Sequence, residues 1–197
     1  SGTFTDANGI SLAAHTAEPG GAWTVHNGTI EIQANKADPT AFTSALARAT
    51  QNLGESDVEA QIVVTTPSAW NAEGRLRAGL VMRYIDANNY IQVRLFRDVS
   101  QPGADEIEVL QFVGGTGGIV HKVQLGPMYA LSTAYTLKAQ AIGNLLMIFM
   151  DTGDGNGSRP CMAFYMDAAL AGGTRFGIYA DEVDSGAVFD GWSAKAL

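Results

Sequence analysis

Residues 74–96, GRLRAGLVMRYIDANNYIQVRLF, alternate apolar and polar side chains on both sides of the turn cluster Asp86-Ala87-Asn88-Asn89. Successive side chains of a β-strand point to opposite faces, so this period-two pattern predicts two strands joined as a hairpin. Placing Ala78, Leu80 and Met82 in a core leaves Arg77, Val81 and Arg83 on the other face. Placing Ile91, Val93 and Leu95 in the same core leaves Tyr90, Gln92, Arg94 and Phe96 outside. A slip of one residue would exchange the faces wholesale, so the register is strongly specified. Such a hairpin must cover its apolar face with a second layer, and the rest of the chain has to supply it.

The rest of the chain repeats the pattern. Strands are predicted over residues 23–26, 29–33, 42–48, 58–65, 76–85, 90–96, 106–113, 119–124, 135–141, 145–151, 162–166, 175–180 and 187–193. In the last but one, Phe176, Ile178 and Ala180 read as core, with Arg175 and Tyr179 facing away. Turn clusters rich in glycine, asparagine and aspartate separate the runs: Glu18-Pro19-Gly20-Gly21, His26-Asn27-Gly28, Gly114-Gly115-Thr116-Gly117-Gly118, Ile142-Gly143-Asn144 and Asp151-Thr152-Gly153-Asp154-Gly155-Asn156-Gly157. Many short strands with turns every 8–12 residues or so indicate a sandwich or a barrel. Helical periodicity is confined to single turns near 49–53 and 167–171. No composition shift, low-complexity linker or fixed-period repeat divides the chain, so residues 1–197 are expected to form a single domain.

Composition narrows the function classes. With 46% hydrophobic and 16% charged residues among 197, there is enough apolar material for one substantial core. The formal net charge of −8 leaves no basic stripe to neutralise phosphates, which argues against nucleic acid and against an anionic membrane surface. No apolar run approaches the 18 or so residues of a spanning helix, so no membrane insertion is expected. The opening Ser1-Gly2-Thr3-Phe4 has no basic n-region and no signal peptide is expected there. The one cysteine, Cys161, permits no intrachain disulfide and sits in an apolar run, where it reads as an inert buried thiol.

The order of these signals resembles the concanavalin A-like lectin/glucanase superfamily, and more narrowly the laminin G-like jelly-roll modules of bacterial and phage proteins. The resemblance is carried by Phe4-Thr5-Asp6, Trp23-Thr24-Val25 with Gly28-Thr29-Ile30, Ser56-Asp57-Val58-Glu59-Ala60, and Ala78-Gly79-Leu80-Val81-Met82-Arg83. It continues through Asn88-Asn89-Tyr90-Ile91-Gln92-Val93-Arg94, Tyr135-Thr136-Leu137-Lys138-Ala139 with Gly143-Asn144, Gly173-Thr174-Arg175-Phe176-Gly177-Ile178-Tyr179, and Ala187-Val188-Phe189-Asp190. It implies an all-β fold, a two-sheet antiparallel jelly-roll β-sandwich with one concave and one convex sheet. It also implies ligands on the concave face or its rim loops, and an extracellular, cell-surface or virion setting. The superfold hosts lectins, hydrolases and lyases alike, so function has to come from the site.

The leading candidate site is the outward set Arg77, Arg83, Tyr90, Gln92, Arg94 and Tyr179, with Trp70 on the preceding loop as a stacking platform. Arginine and glutamine offer paired hydrogen bonds to vicinal hydroxyls or a carboxylate, and tyrosine offers a flat ring with a hydroxyl. The competing reading is a sheet face on which the arginines pair across strands with Glu106 and Glu108, and for Trp70 it is packing beneath its own loop. Trp23 and Trp192 lie within strand patterns and are expected in the core.

In the resembling folds a structural calcium joins the two ends of the chain, and Asp6 and Asp190 are the matching carboxylates; turn capping is the alternative. The acidic loop Asp151, Asp154 and Asn156 lacks EF-hand spacing and reads as a hairpin loop. Glu55-Ser56-Asp57-Val58-Glu59 fits the glucanase Glu-x-Asp-x-Glu pattern, which would set carboxyls about 5–5.5 Å apart for a retaining glycosidase. It equally fits the start of an ordinary laminin G-like strand. Glu106-Ile107-Glu108-Val109-Leu110-Gln111 has glutamine where the acid is needed. His15, His26 and His121 show no paired metal spacing, there is no Gly-x-Ser-x-Gly elbow, and Gly114–Gly118 has no phosphate-binding lysine.

The expectation is therefore a non-catalytic carbohydrate-binding module, such as an adhesin, a receptor-binding part of a phage tail or a targeting domain of an enzyme. Its partner would be a glycan or polysaccharide. A glycoside hydrolase or polysaccharide lyase of the same fold, and a structural or oligomerising module without ligand, remain the alternatives.

Overall fold

The computed structural model describes residues 3–15, 21–42, 46–70, 74–98, 105–125, 129–181 and 186–197. In chain order its strands are β1 (Ile10–Ser11), β2 (Trp23–Asn27), β3 (Thr29–Gln33), β4 (Lys36–Ala41), β5 (Leu46–Asn52), β6 (Val58–Thr65), β7 (Leu76–Asp86) and β8 (Asn89–Arg97). They continue with β9 (Glu106–Val113), β10 (Thr116–Gln124), β11 (Ala134–Ile142), β12 (Leu145–Asp151), β13 (Arg159–Tyr165), β14 (Arg175–Asp181) and β15 (Val188–Ala196). Two antiparallel sheets result. One runs β1-β3-β4-β15-β6-β11-β12-β13 and the other β10-β9-β8-β7-β14-β5-β2. This is the expected all-β jelly-roll sandwich.

Alternation places the core where the sequence puts it. Val58, Ala60, Ile62 and Val64 of β6 and Leu137, Ala139 and Ala141 of β11 face Ala78, Leu80 and Met82 of β7, Ile91, Val93 and Leu95 of β8, and Phe176 and Ile178 of β14. All of these are fully buried. Trp23 and Trp192 meet in this core at 5.2 Å, and the Trp192 Nε1–H donates to Gln51 Oε1 at 2.8 Å, which satisfies the buried indole. The hairpin 74–96 forms as expected, with Arg77 opposite Phe96 and Val81 opposite Gln92.

Two local expectations change and a third holds. The turn predicted near 49–53 is strand through Asn52, because β5 is paired on both sides, by β14 and β2, and that ladder outweighs local propensity. Strand β4 escaped prediction because it contains Pro39, which lacks a backbone donor. It is accommodated beside a register shift in β3 and a single-residue pairing to β15. The turn near 167–171 is present as the 3-10 turn Ala168–Leu170, capped by the Asp167 carboxylate, which accepts from the Ala169 N–H. The Glu18-Pro19-Gly20 part of the first turn cluster lies outside the described residues.

Candidate functional site

The outer face of the seven-stranded sheet is built from side chains that alternate with the core. β8 contributes Tyr90, Gln92, Arg94 and Phe96, β9 contributes Glu106, Glu108 and Phe112, and β14 contributes Tyr179. β7 gives Arg77 and Val81, and β5 gives Arg48 and Thr50. These are not ordinary solvent-facing residues: Arg48 is 2% exposed, Gln92 3%, Tyr90 4%, Tyr179 3%, Arg94 8% and Glu108 2%. Gly79 and Gly177 let the central strands of the sheet approach their neighbours closely. A Cβ on Gly79 would lie 2.2 Å from the Val93 carbonyl oxygen, and one on Gly177 would lie 1.9 Å from that of Ala49.

One half of the face is ionic. Arg94 Nε donates to Glu108 Oε2 at 2.8 Å and Nη2 lies 2.6 Å from the same oxygen. Arg94 Nη1 donates to the Tyr179 hydroxyl at 3.5 Å, which donates to Asp181 Oδ2 at 3.3 Å. Arg77 Nη1 reaches that same Asp181 oxygen at 3.4 Å. Burial pulls the Arg94 pKa down, but Tyr179 and Glu108 outweigh it and hold the guanidinium above its ordinary value. The cross-strand pairing weighed against ligand binding is thus present for Arg94. It orders the side chains and leaves no unpaired charge in this half.

The other half is aromatic. Tyr90 stacks on Phe112 at 4.4 Å and 12°, Tyr84 lies 5.9 Å from Tyr90, and His26 stacks on Tyr84 at 4.2 Å. The Arg48 guanidinium sits over both tyrosines, 4.3 Å from the Tyr90 centroid and 4.9 Å from that of Tyr84. The ring of Tyr90 is therefore taken up by protein and does not present the stacking face expected for it. Burial raises the Tyr90 pKa, so the phenol is neutral. His26 Nε2 is 2.8 Å from the Thr50 hydroxyl, and burial, then Arg48 and Arg175, lower its pKa to about 4.

Arg83 does not belong to this face. The β7–β8 register shifts between Met82 and Asp86, and Arg83 has φ +52°, a left-handed value uncommon outside glycine. The irregularity turns Arg83 to the far side of the sheet and gives its place beside Val81 to Tyr84. Fully buried, the guanidinium donates to the Ala171 carbonyl, to the Gly143 carbonyl at 2.9 Å and to Asp57 Oδ1 at 3.1 Å. It joins three loops and is no ligand group. Trp70 is likewise separate: it packs on the main core with the Arg97 guanidinium 4.6 Å over its ring, and Arg97 is itself paired with Asp105. Arg48, Tyr84 and His26 went unpredicted. The alternation of Arg48 and Thr50 against Ala47 and Ala49 carried the signal for Arg48, but residues 49–53 were read as a turn.

The carboxylate motifs do not assemble a catalytic pair. Asp57 is occupied by Arg83 and by the Gly143 N–H at 2.9 Å. Glu59 accepts from Gln140 at 2.5 Å and pairs with Lys195 at 3.0 Å. Burial tends to raise the Glu59 pKa, yet hydrogen bonds from Gln140 and Lys195 and the charges of Lys138 and Lys195 hold it below its ordinary value, the wrong direction for a general acid. Glu106 is held by Lys122 and Glu108 by Arg94.

The proposed calcium ligands are engaged locally. Asp6 Oδ2 lies 2.5 Å from His15 Nδ1, and Asp190 Oδ1 accepts from the Gly191 N–H at 2.7 Å. Among the described residues no three His, Cys, Asp or Glu side chains gather as a metal site, so a calcium shell of six to eight oxygens at this pair would have to be completed by backbone carbonyls. Cys161 is half-buried, less than expected from its apolar run, and burial pushes its thiol pKa up.

No protein-family model matches the chain, and no curated protein matches its sequence. Solved structures match its fold. Carbohydrate-binding module CBM66 from Bacillus subtilis superposes with a TM-score of 0.61 at 18% identity, over 88% of this chain and 95% of that one. The exoplasmic/lumenal domain of VIP36, in a Ca2+/Man-bound form, gives 0.65 at 9% identity over 99% and 91%. The CBM2 module of the evolved Dit protein of Lactobacillus casei BL23 phage J-1 gives 0.58 at 11% identity over 95% and 94%. The chain shares with them the concanavalin A-like jelly-roll sandwich, as its sequence signals imply.

Proposed function

We propose that the chain is a non-catalytic carbohydrate-binding module that holds a glycan on the outer face of the seven-stranded sheet. The observation carrying this reading is the composition of that face. Arg48, Gln92, Arg94, Tyr84, Tyr90 and Tyr179 share this face, and contacts between Arg48, Tyr84 and Tyr90 and between Arg94 and Tyr179 order most of them. Arginine, glutamine and tyrosine hydroxyls match the hydroxyl pattern of a sugar, and rigid groups give up little entropy on binding. The opposite sheet offers no comparable cluster among the described residues: its outer residues are half-exposed. The fold shared with a carbohydrate-binding module and a mannose-bound domain supports the same reading. Its setting would be extracellular, at a cell surface or on a virion, as an adhesin, a phage receptor-binding part or an enzyme-targeting domain.

A glycan array tests this, with hydrolysis followed in parallel as release of reducing ends or unsaturated product. Binding without turnover is the expected result. Tyr179→Phe and Gln92→Ala should each weaken it about three- to tenfold, the worth of one neutral hydrogen bond. A chelator should leave the signal unchanged, because the face supplies its own donors. Turnover that disappears in Asp57→Asn or Glu59→Gln would replace the binding module with a hydrolase. An array without any bound glycan would remove the proposal.

A further inference from the structure

Arg48 stands apart from the other buried arginines. Arg83 is met by a carboxylate and two carbonyls, and Arg94 by Glu108. Arg48 is 2% exposed, its Nε and Nη1 have no hydrogen-bond partner, and its Nη2 donates to the neutral amide oxygen Asn27 Oδ1, at 2.8 Å. Among the described residues no carboxylate lies within ion-pair distance of it. The rings of Tyr84 and Tyr90 offset part of the cost of burying the charge. The Tyr90 hydroxyl also takes part in a hydrogen bond with Arg48, yet Nε and Nη1 stay without a partner, and a buried cation is ordinarily both paired and hydrogen-bonded.

The surroundings add positive potential. Arg175 lies close enough, with Arg48, to lower the pKa of His26, and it donates to Thr24 Oγ1 at 3.3 Å on the neighbouring edge strand. A protein of formal net charge −8 thus keeps, among the described residues, a cationic spot with no carboxylate paired to it at one end of the proposed glycan face, while the other end is neutralised by Glu108 and Asp181. Such asymmetry has no structural benefit: a neutral residue at position 48 would fill the gap between the tyrosines without a desolvated charge.

We propose that this spot receives the anionic group of an acidic glycan, specifically the carboxylate of a uronate unit, with Arg48 as the residue that selects charged over neutral sugars. The inference rests on glycan binding at this face and adds the ligand class. The guanidinium exchanges its ring and Asn27 contacts for the carboxylate, whose two oxygens suit its planar fork. The remaining hydroxyls fall toward Gln92, Tyr179 and Arg94.

Titration calorimetry with galacturonate, glucuronate and mannuronate oligosaccharides, each against its methyl ester, tests the assignment, because the ester keeps the sugar and removes the charge. At least one acid should bind about tenfold or more tighter than its ester, the range of a hydrogen bond to a charged group. Arg48→Met should abolish that preference and leave Tm unchanged or raised. Equal binding of acid and ester, or a preference that survives in Arg48→Met, overturns the inference. A sulfated galactan oligosaccharide that binds where the uronates fail overturns the carboxylate assignment. Neutral oligosaccharides that bind while every acid fails overturn the inference but leave the glycan-binding reading standing; no binding by any sugar overturns both. Should Arg48→Met fail to fold, Arg48 is a structural residue and the inference fails with it.

Discussion

The two outer faces of the sandwich are built from the same kinds of residue and treat them differently. On the eight-stranded sheet, β6 and β11 alternate between buried and half-exposed positions, and Glu59, Lys138 and Gln140 pair at the edge of water. On the seven-stranded sheet, β7 and β8 are buried on both faces, so Arg94, Glu108 and Tyr179 pair out of water. Charges on the first face can pair or solvate at little cost, whereas those on the second must pair or be compensated. The proposed glycan face rests on that difference, which also sets how large each substitution should be.

The largest contrast is expected from Glu108→Ala. Its removal leaves Arg94 as an unpaired buried cation, which costs about 3–5 kcal/mol, whereas pairs at the surface contribute about 0–1 kcal/mol. Urea denaturation should show the loss as a lower midpoint at unchanged slope. A loss below about 1 kcal/mol would mean that water reaches the face freely, and the contrast between the sheets would collapse.

Arg83→Ala should cost somewhat less, about 3 kcal/mol, because Asp57 is half-exposed and re-solvates once its partner is gone. The carbonyls of Gly143 and Ala171 lose their donor as well. Burial lowers the Arg83 pKa against the opposing pull of Asp57, consistent with a cation kept in place by its pair. In the fraction that stays folded, glycan affinity should be unchanged, since Arg83 lies off the face. Selective loss of binding with full stability would return Arg83 to the site.

Much of this was legible in the sequence, and the exceptions have physical causes. Strict alternation identified the cores of β7, β8 and β14 and set Tyr90, Gln92, Arg94 and Tyr179 on one face. Arg83 was misplaced because a bulge between Met82 and Asp86 breaks the period, and a bulge in a residue other than glycine leaves no composition signal. Arg48 and His26 were missed because their role arises from non-local packing against Tyr84 and Tyr90, on strands far away in the chain. The degree of burial of the face was equally illegible: alternation tells which residues share a side, not how deep that side lies.

His26 offers a smaller test on the same face. Its pKa falls from 6.5 to about 4 on folding, so the unfolded chain takes up a proton first as the pH drops. Its contribution is fully present above about pH 6.5, is lost between 6.5 and 4, and changes no further below that. At about 1.4 kcal/mol per pKa unit the full shift is worth about 3 kcal/mol, and screening at a half-buried ring reduces it to about 1–2 kcal/mol. Stability measured at intervals from pH 7 to 5, above most carboxylate titration, should fall less steeply in His26→Asn than in the parent.

The smallest effect belongs to Glu59→Ala on the eight-stranded sheet. Glu59 is held by Gln140, Lys138 and Lys195, more partners than Glu108 has, so a count of contacts would rank it first. Lys195 is 66% exposed, however, and the freed lysines re-solvate at once, so the expected loss is below about 1 kcal/mol. The folded pKa of Glu59 lies below the unfolded value of 4.5, so its contribution is present above that pH and disappears as the pH falls through the folded value. The difference between Glu59→Ala and the parent should therefore shrink in acid, and it should shrink in high salt as well. If Glu59→Ala matched Glu108→Ala, burial would not be the property that separates the two faces, and the case for a ligand on the seven-stranded sheet would rest on residue types alone.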